Sequence, residues 1–266
     1  MSNQKLNFQS QSYPITAKTE SAPGTFLFQL EGKIDFHPGQ FLEVSVDHFG
    51  EATLAPCSDP SDKKSFEICV RGCGSTSKAI TNLLPGDKLD LRGPYGNGWP
   101  TEKIRNNELI LIAGGLGLVP LRPLIYTLLK KKFRHITLIA GFKSDDHILF
   151  EDDLKNWSKF FNVIPIAEYA TPHFWGEKGL ITKGIENLKV KAGKSLVFIC
   201  GPEVMVPYCI EELTKKGISE KNIFISYERR MECGIGVCQH CSVGKYLVCK
   251  DGPVFAYDKI KQEVGK

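Results

Sequence analysis

Two rhythms of apolar and polar residues divide the chain. Up to about residue 100, short segments alternate in character: TFLFQLEG (25–32), QFLEVSVDHFG (40–50), SFEICVRG (65–72) and DKLDLRGP (87–94). Alternation turns one side of a strand to a core and the other to water, and Pro-Gly pairs at 38–39 and 85–86 punctuate the segments. Helical spacing is confined to a turn or two at SKAITNLL (77–84). Many short strands with their own turn signals predict an antiparallel β-barrel over residues 1–100.

After the polar stretch TEKIRNNE (101–108) the pattern changes. ELILIAGG, HITLIAGF, NVIPIAEYA, SLVFICGP and NIFISYE are apolar at nearly every position. LVPLRPLIYTLLKKKF, DDLKNWSKFF and VMVPYCIEELTKKG carry helical spacing between them. Strands that are apolar on both faces and alternate with helices predict a parallel sheet covered on each side, here a doubly wound α/β domain over 107–228. The remaining stretch, 229–266, is too short for a core of its own and needs another source of order.

Composition narrows the function classes. The chain has 266 residues, 42% of them hydrophobic and 24% charged, with a net charge of +4. The basic excess is dispersed, and nothing forms a nucleic-acid-binding stripe. The run Lys130–Lys132 fits a solvated helix end or an acidic partner surface. The polar start MSNQKLNFQSQS has no apolar leader core, and the most apolar run, 109–129, is interrupted by glycines, prolines and Arg122, so no membrane span is expected. These features predict a cytoplasmic protein. In a reducing compartment nine cysteines shift the expectation from disulfides to metal ligation or catalysis.

Two turns carry nucleotide chemistry. In IAGGLGLVPLRPL, Gly114, Gly115 and Gly117 follow an apolar strand and open a helix, where backbone N–H groups and the helix dipole receive a phosphate. Pro120 stands where the usual dinucleotide fingerprint has a third small residue. FICGPEVM places Cys200, Gly201 and Pro202 at the carboxyl edge of the same sheet, where open α/β folds bind ligands. No acidic residue directly ends HITLIAGF. Lys143 and Ser144 come first, which favours a 2′-phosphate and NADP over NAD, with an exposed turn as the plain alternative for Lys143. In the first domain, Gly74, Ser75, Thr76 and Ser77 end a strand and start a short helix, forming a candidate anion nest. RGPYGNGWP (92–100) would complete an aromatic cleft for a dinucleotide at the domain interface.

The densest signal is MECGIGVCQHCSVGKYLVC (231–249), in which Cys233, Cys238, Cys241 and Cys249 have the spacing Cys-x4-Cys-x2-Cys-x7-Cys. Structural zinc usually joins two Cys-x(2–4)-Cys knuckles across a longer spacer. The x4, x2 arrangement followed by a distal thiol is that of plant-type [2Fe–2S] sites, so spacing favours iron–sulfur and leaves zinc as the alternative. Ligation would also supply ordering energy to the tail. His240, between two candidate ligands, reads as a solvent or partner contact. Glu228 and Arg229 read as a nicotinamide or flavin contact, or as a surface ion pair.

PGQF (38–41), the 74–77 turn, GPYGNG (93–98), AGGLGLVP (113–120) and CGPEVM (200–205) resemble, in order, the motifs of the ferredoxin-NADP reductase superfamily. The resemblance implies FAD on the barrel and NAD(P)H on the α/β domain. That family's Arg-x-Tyr-Ser/Thr flavin motif is replaced here by EATLAPCSDP (51–60), which by position would turn Pro56, Cys57 and Ser58 to the flavin. The tail, with its CKDGPVF end, resembles one branch: the electron-transfer subunits of dihydroorotate dehydrogenase, of cytosolic NiFe sulfhydrogenases and of anaerobic sulfite reductase. The seven-residue gap before Cys249 is more similar to the latter two. The resemblance implies an electron-transfer subunit in a hetero-oligomer with an iron–sulfur or metal-containing catalytic redox subunit. A stand-alone reductase and a zinc-stabilised, non-redox binding protein are the competing readings.

Overall fold

The structure, a computed structural model, describes residues 9–105 and 107–263. Most of the polar start read as lacking a leader lies outside the described residues. The first domain holds strands β1 (Gln11–Ala22), β2 (Thr25–Glu31), β3 (Phe41–Val46), β4 (Gly50–Leu54), β5 (Ser65–Arg71) and β6 (Lys88–Tyr95). They run in the order β4-β3-β6-β1-β2-β5 with every neighbouring pair antiparallel. A bridge between Pro56 and Ile68, and the Cys57 N–H donating to the Glu67 carbonyl at 2.8 Å, draw the chain after β4 onto β5 and close the barrel. Its interior is the alternate apolar set, including Phe28, Leu30, Leu42, Val44, Phe66, Ile68 and Leu89. Helix α1 (Ser75–Asn82) covers it with Ile80, which is fully buried.

Two of these strands escape a hydrophobic reading. β1 is rich in Gln, Ser, Thr, Lys and Glu and buries only Tyr13, Ile15 and Ala22. β4, GEATL, buries no residue fully. Both are held by backbone ladders to long partners, which needs no apolar side chain.

The second sheet contains β7 (Glu108–Gly114), β8 (Ile136–Ser144), β9 (Asn162–Tyr169), β10 (Glu177–Lys178), β11 (Ser195–Cys200) and β12 (Ile223–Ser226), all parallel. Helices α2 (Arg122–Lys130), α3 (Glu151–Trp157), α4 (Ile181–Glu186) and α5 (Met205–Lys215) connect them. The order β10-β9-β8-β7-β11-β12 reverses direction between β7 and β11, the point where open α/β sheets leave a ligand crevice. The helix expected from Leu118 begins later than its apolar pattern suggests. Gly115–Leu118 forms a 3₁₀ turn and α2 starts at Arg122, with Pro123 in its first turn.

The tail forms the small hairpin β13 (Ser242–Val243) and β14 (Tyr246–Leu247), helix α6 (Val248–Asp251), strand β15 (Val254–Ala256) and helix α7 (Tyr257–Ile260). β15 pairs antiparallel with β12 and becomes the seventh strand of the α/β sheet. Val243, Val248, Cys249, Phe255 and Ile260 join the same apolar cluster as Ile199 and Ile225. The expectation that something other than burial must order this stretch is therefore corrected, because the tail borrows the core of its neighbour. Among the described residues, no helix is long and apolar enough to cross a membrane.

Candidate functional site

Parallel register sets the nucleotide edge. β7 and β11 pair from Ser195–Glu108 through Cys200–Ala113, so both strands end together and their following turns meet. A side chain at Gly117 would overlap the Cys200 carbonyl, and one at Gly114 would begin 2.6 Å from Met205 Sδ and 2.9 Å from Pro202 Cδ. Only hydrogen fits there. At Gly115 nothing lies within 4 Å of that position, so this backbone faces open space where a phosphate could approach. Gly114, Gly115, Gly117, Cys200, Gly201 and Pro202 are thus brought together. Burial pushes the Cys200 thiol up to about 12. Pro120 serves the domain junction. Its carbonyl accepts from Trp99 Nε1 at 3.0 Å, and Trp99 stacks on Phe198 with ring centres 4.9 Å apart.

Lys143 is exposed at the end of β8. The Ser144 hydroxyl is engaged by Asp146 at 2.5 Å and His147 at 2.8 Å, and Asp145 binds the Thr171 N–H and hydroxyl. The 2′-phosphate reading thus meets a segment in which two carboxylates follow the lysine.

On the barrel, Gly74 and Ser75 are exposed at the start of α1. The Ser77 hydroxyl accepts from the Gly74 and Cys73 N–H groups at 2.8 and 3.0 Å, and the Thr76 hydroxyl donates to the Phe49 carbonyl at 2.5 Å. Ser77 thus shapes the turn, leaving Gly74 and Ser75 at its open mouth. Pro56, Cys57 and Ser58, expected to face the flavin, are buried in this structure. The Cys57 side chain is fully buried, the Ser58 hydroxyl accepts from the Glu67 N–H at 3.1 Å, and Pro56 lies in the barrel closure. The half-buried Thr53, Leu54 and Ala55 just before them keep exposed surface.

Cys57 also belongs to an interdomain lock. Arg122, 7% exposed, sits in the first turn of α2 and reaches the barrel. Its Nη1 donates to Glu67 Oε2 at 2.5 Å and to the Cys57 carbonyl at 3.0 Å, while Nε donates to Asp153 Oδ2 on α3 at 2.7 Å. Its guanidinium also lies over the Phe150 ring at 4.4 Å. Desolvation raises the Cys57 thiol well above its ordinary value despite this cation.

The cysteine loop is assembled by its own backbone. Amide N–H groups of Ile235, Val237 and Cys238 point at Cys233 Sγ at 3.4–3.5 Å, that of Gly236 at Cys249 Sγ at 3.1 Å, and that of Cys249 at Cys241 Sγ at 3.4 Å. Gly234 and Gly236, at φ +72° and +80°, make the inward wrap possible. Burial raises the Cys233 thiol, but the amides of Cys238, Ile235 and Val237 outweigh it and bring it down to about 6. Burial and the neighbouring Cys241 push Cys249 up to about 12. Among the described residues, no three His, Cys, Asp or Glu groups converge as they would on one metal ion. Sulfurs that collect amide hydrogens fit thiolates carrying cluster charge. His240 lies 3.8 Å from Glu232, half-exposed. Arg229 pairs with Glu203 and donates to the Tyr227 hydroxyl at 2.5 Å, so the ion-pair reading holds for it.

The loop is fastened to the barrel through the end of β6. Arg92 binds Glu51 with two nitrogens, at 2.8 and 2.5 Å, and donates to the carbonyls of Cys233 and Glu232, each at 2.6 Å. A side chain at Gly234 would begin 2.9 Å from the Tyr95 ring. Asn97 Nδ2 donates to the Val254 and Asp251 carbonyls at 2.8 and 3.1 Å, and its Oδ1 accepts from the Val254 N–H at 3.2 Å. GPYGNG, expected in a dinucleotide cleft, therefore receives the CKDGPVF end of the tail, a role no spacing rule would have found. Behind Arg92, Glu43 is 1% exposed; its Oε2 accepts from the Thr53 hydroxyl at 2.9 Å and its Oε1 is buried without a hydrogen-bond partner. Desolvation, only partly offset by Thr53 and Arg92, raises its carboxyl to about 7.

A barrel with a serine-rich turn open to solvent, a switch-point crevice and a thiol loop fit an NAD(P)-linked flavin oxidoreductase with an iron–sulfur module. Family models agree: an oxidoreductase FAD-binding domain matches residues 14–99, an oxidoreductase NAD-binding domain 111–210, and the iron–sulfur cluster binding domain of dihydroorotate dehydrogenase B 228–261. The chain is 39% identical over 249 residues to sulfhydrogenase 2 subunit gamma of Pyrococcus furiosus, covering 86% of each. It is 35% identical over 237 residues to a probable dihydroorotate dehydrogenase B electron transfer subunit of Thermococcus kodakarensis, covering 88% of this chain and 90% of the relative. An NADH-dependent reduced ferredoxin-NADP oxidoreductase structure shares the fold, with a TM-score of 0.77 at 23% identity over 97% of this chain and 94% of the other. The chain belongs to the family of iron–sulfur flavoprotein electron-transfer subunits that includes sulfhydrogenase gamma and dihydroorotate dehydrogenase B electron transfer subunits, on a ferredoxin-NADP reductase-like fold.

Proposed function

We propose that the chain is the electron-transfer subunit of a sulfhydrogenase-type or sulfite-reductase-type complex, and that Cys233, Cys238, Cys241 and Cys249 hold its [2Fe–2S] cluster. The backbone amides that converge on Cys233, Cys241 and Cys249, on a Cys-x4-Cys-x2-Cys-x7-Cys spacing, carry the ligand assignment. The complex is supported by the 39% and 38% identity to two sulfhydrogenase gamma subunits and by the seven-residue gap before Cys249. A flavin held on the barrel would supply hydride acceptance from NAD(P)H together with one-electron release, which suits a one-electron centre. The chain's own residues do the rest. Gly114, Gly115 and Gly117 bring backbone amides to the pyrophosphate, and Gly74 and Ser75 do the same for the flavin phosphates. The amides of residues 235–238 stabilise thiolate charge. Cys238, exposed beside the exposed Val237, puts the outer edge of the loop at the surface a partner would meet.

The test is anaerobic isolation from the native source, with the visible spectrum, iron, sulfide, zinc and flavin contents, and the copurifying chains identified. Two irons and one flavin per chain, with a hydrogenase- or sulfite-reductase-like partner, support the reading. Zinc without flavin overturns it. A dihydroorotate-oxidising partner would favour the second reading, which the iron–sulfur family model at residues 228–261 supports. Reduction rates with NADH and NADPH decide the nucleotide, with Lys143→Ala slowing only the NADPH reaction if that lysine meets a 2′-phosphate.

A further inference from the structure

We infer that Arg92 is a positioning residue for electron transfer, holding the Cys233 limb of the thiol loop at a set place on the flavin-binding barrel. The inference rests on the assignment of the four thiols as cluster ligands. The tail is sewn to the α/β sheet by β15, about twenty residues beyond Cys233 in the chain. The limb itself, Glu232–Gly234, is held to the barrel by the guanidinium and by the Tyr95 ring against Gly234. Three features make Arg92 a lock. Its side chain is 11% exposed. Its two bonds to Glu51 on β4 fix the plane of the guanidinium. Its remaining reach ends on two consecutive carbonyls, one of them that of Cys233. A planar fork with five donors can satisfy a carboxylate and two carbonyls together, whereas an ammonium cannot hold the same plane.

β4 also leads into the half-buried Thr53–Ala55 face, so Arg92 ties the thiol loop to the barrel strand that carries that face. The nucleotide would be held by the turns after β7 and β11, and none of Arg92's bonds to Glu51, Glu232 and Cys233 involves either turn. Losing the lock should therefore slow flavin-to-cluster transfer and leave nicotinamide-to-flavin transfer unchanged.

The test compares wild type, Arg92→Gln and Arg92→Lys in the intact protein, after iron and flavin contents have been matched. Stopped-flow mixing with NADH follows flavin reduction and then cluster reduction. In Arg92→Gln, flavin reduction should keep its rate and cluster reduction should fall about tenfold or more. Amide exchange at 233–238 should rise by a similar factor, the effect of losing charge-assisted bonds that close a local opening. The reduced cluster's EPR lines should broaden as the loop samples several positions, and Arg92→Lys should recover part of each change. Unchanged exchange, linewidth and cluster rate would overturn the inference, as would an equal loss in both electron steps. If Arg92→Gln does not retain its cofactors, Glu51→Gln takes its place, with the same selective pattern at smaller size. A preparation that contains no iron–sulfur cluster at all would refute the ligand assignment and is distinguishable from these outcomes.

Discussion

Two arginines fasten this molecule, and they do so differently. Arg122 joins barrel to α/β domain through two carboxylates, Glu67 and Asp153, and a carbonyl, with an aromatic ring against its face. Arg92 joins barrel to thiol loop through one carboxylate and two carbonyls. The first is a charge-compensated knot, and removing its cation strands two acids in a poorly solvated place. The second leaves behind two carbonyls and only one acid, Glu51, whose side chain is about a third exposed. One device suits a junction that must not move. The other suits a segment whose placement matters more than its contribution to stability.

The largest test of this contrast is Arg122→Ala. Breaking a buried ion pair by removing one partner costs about 3–5 kcal/mol, so the denaturation midpoint should drop steeply and the two domains should uncouple. An effect below about 1 kcal/mol would place the Arg122 cluster on the same footing as a surface pair.

A second test separates the regions by pH. The Glu43 carboxyl beside Arg92 is raised to about 7 from 4.5, so the folded protein keeps a proton there that the unfolded chain releases. Stability from this group is fully present below about 4.5 and is lost as pH rises through 7. Glu43→Gln should therefore gain on wild type by about 3 kcal/mol between pH 5 and pH 8, read as the difference in melting behaviour. A constant difference across that range would mean Glu43 is ionised throughout.

The smallest expected effect is at Asn97, whose three bonds hold the tail's end to the barrel. Asn97→Ala should cost about 1–3 kcal/mol and raise amide exchange over residues 248–256, with the barrel strands unchanged. If exchange rises equally in the barrel, the tail and barrel open as one unit and the contrast between the two fastenings is lost.

Much of this protein is legible in its sequence because local physics writes it there. The runs ELILIAGG, HITLIAGF and SLVFICGP are apolar throughout because a parallel sheet buried on both faces needs them so, and they became β7, β8 and β11. The turns at 114–117 and 200–202 are readable because close approach at Gly114, Gly117 and Gly201 admits little besides glycine, and the turn at 74–77 because its hydroxyls can bond nearby backbone. Four cysteines in a short span announce metal chemistry by spacing. What stayed hidden has a common cause. β1 and β4 are ladder-bonded strands with little apolar signal. Cys57 looked like a flavin contact until Arg122, far away in sequence, was seen to cover it. Arg92 and Asn97 looked like parts of a cofactor loop until the tail folded onto them, and nothing in the strand pattern singled out Glu43, which the structure buries. A residue's periodicity and backbone freedom are properties of its neighbours in sequence, so sequence alone determined the sheets, the glycine turns and the thiol loop. The partner of a buried charge is a property of neighbours in space, so only the tertiary structure decided which arginine joins which domains, and where the cluster loop sits on the barrel.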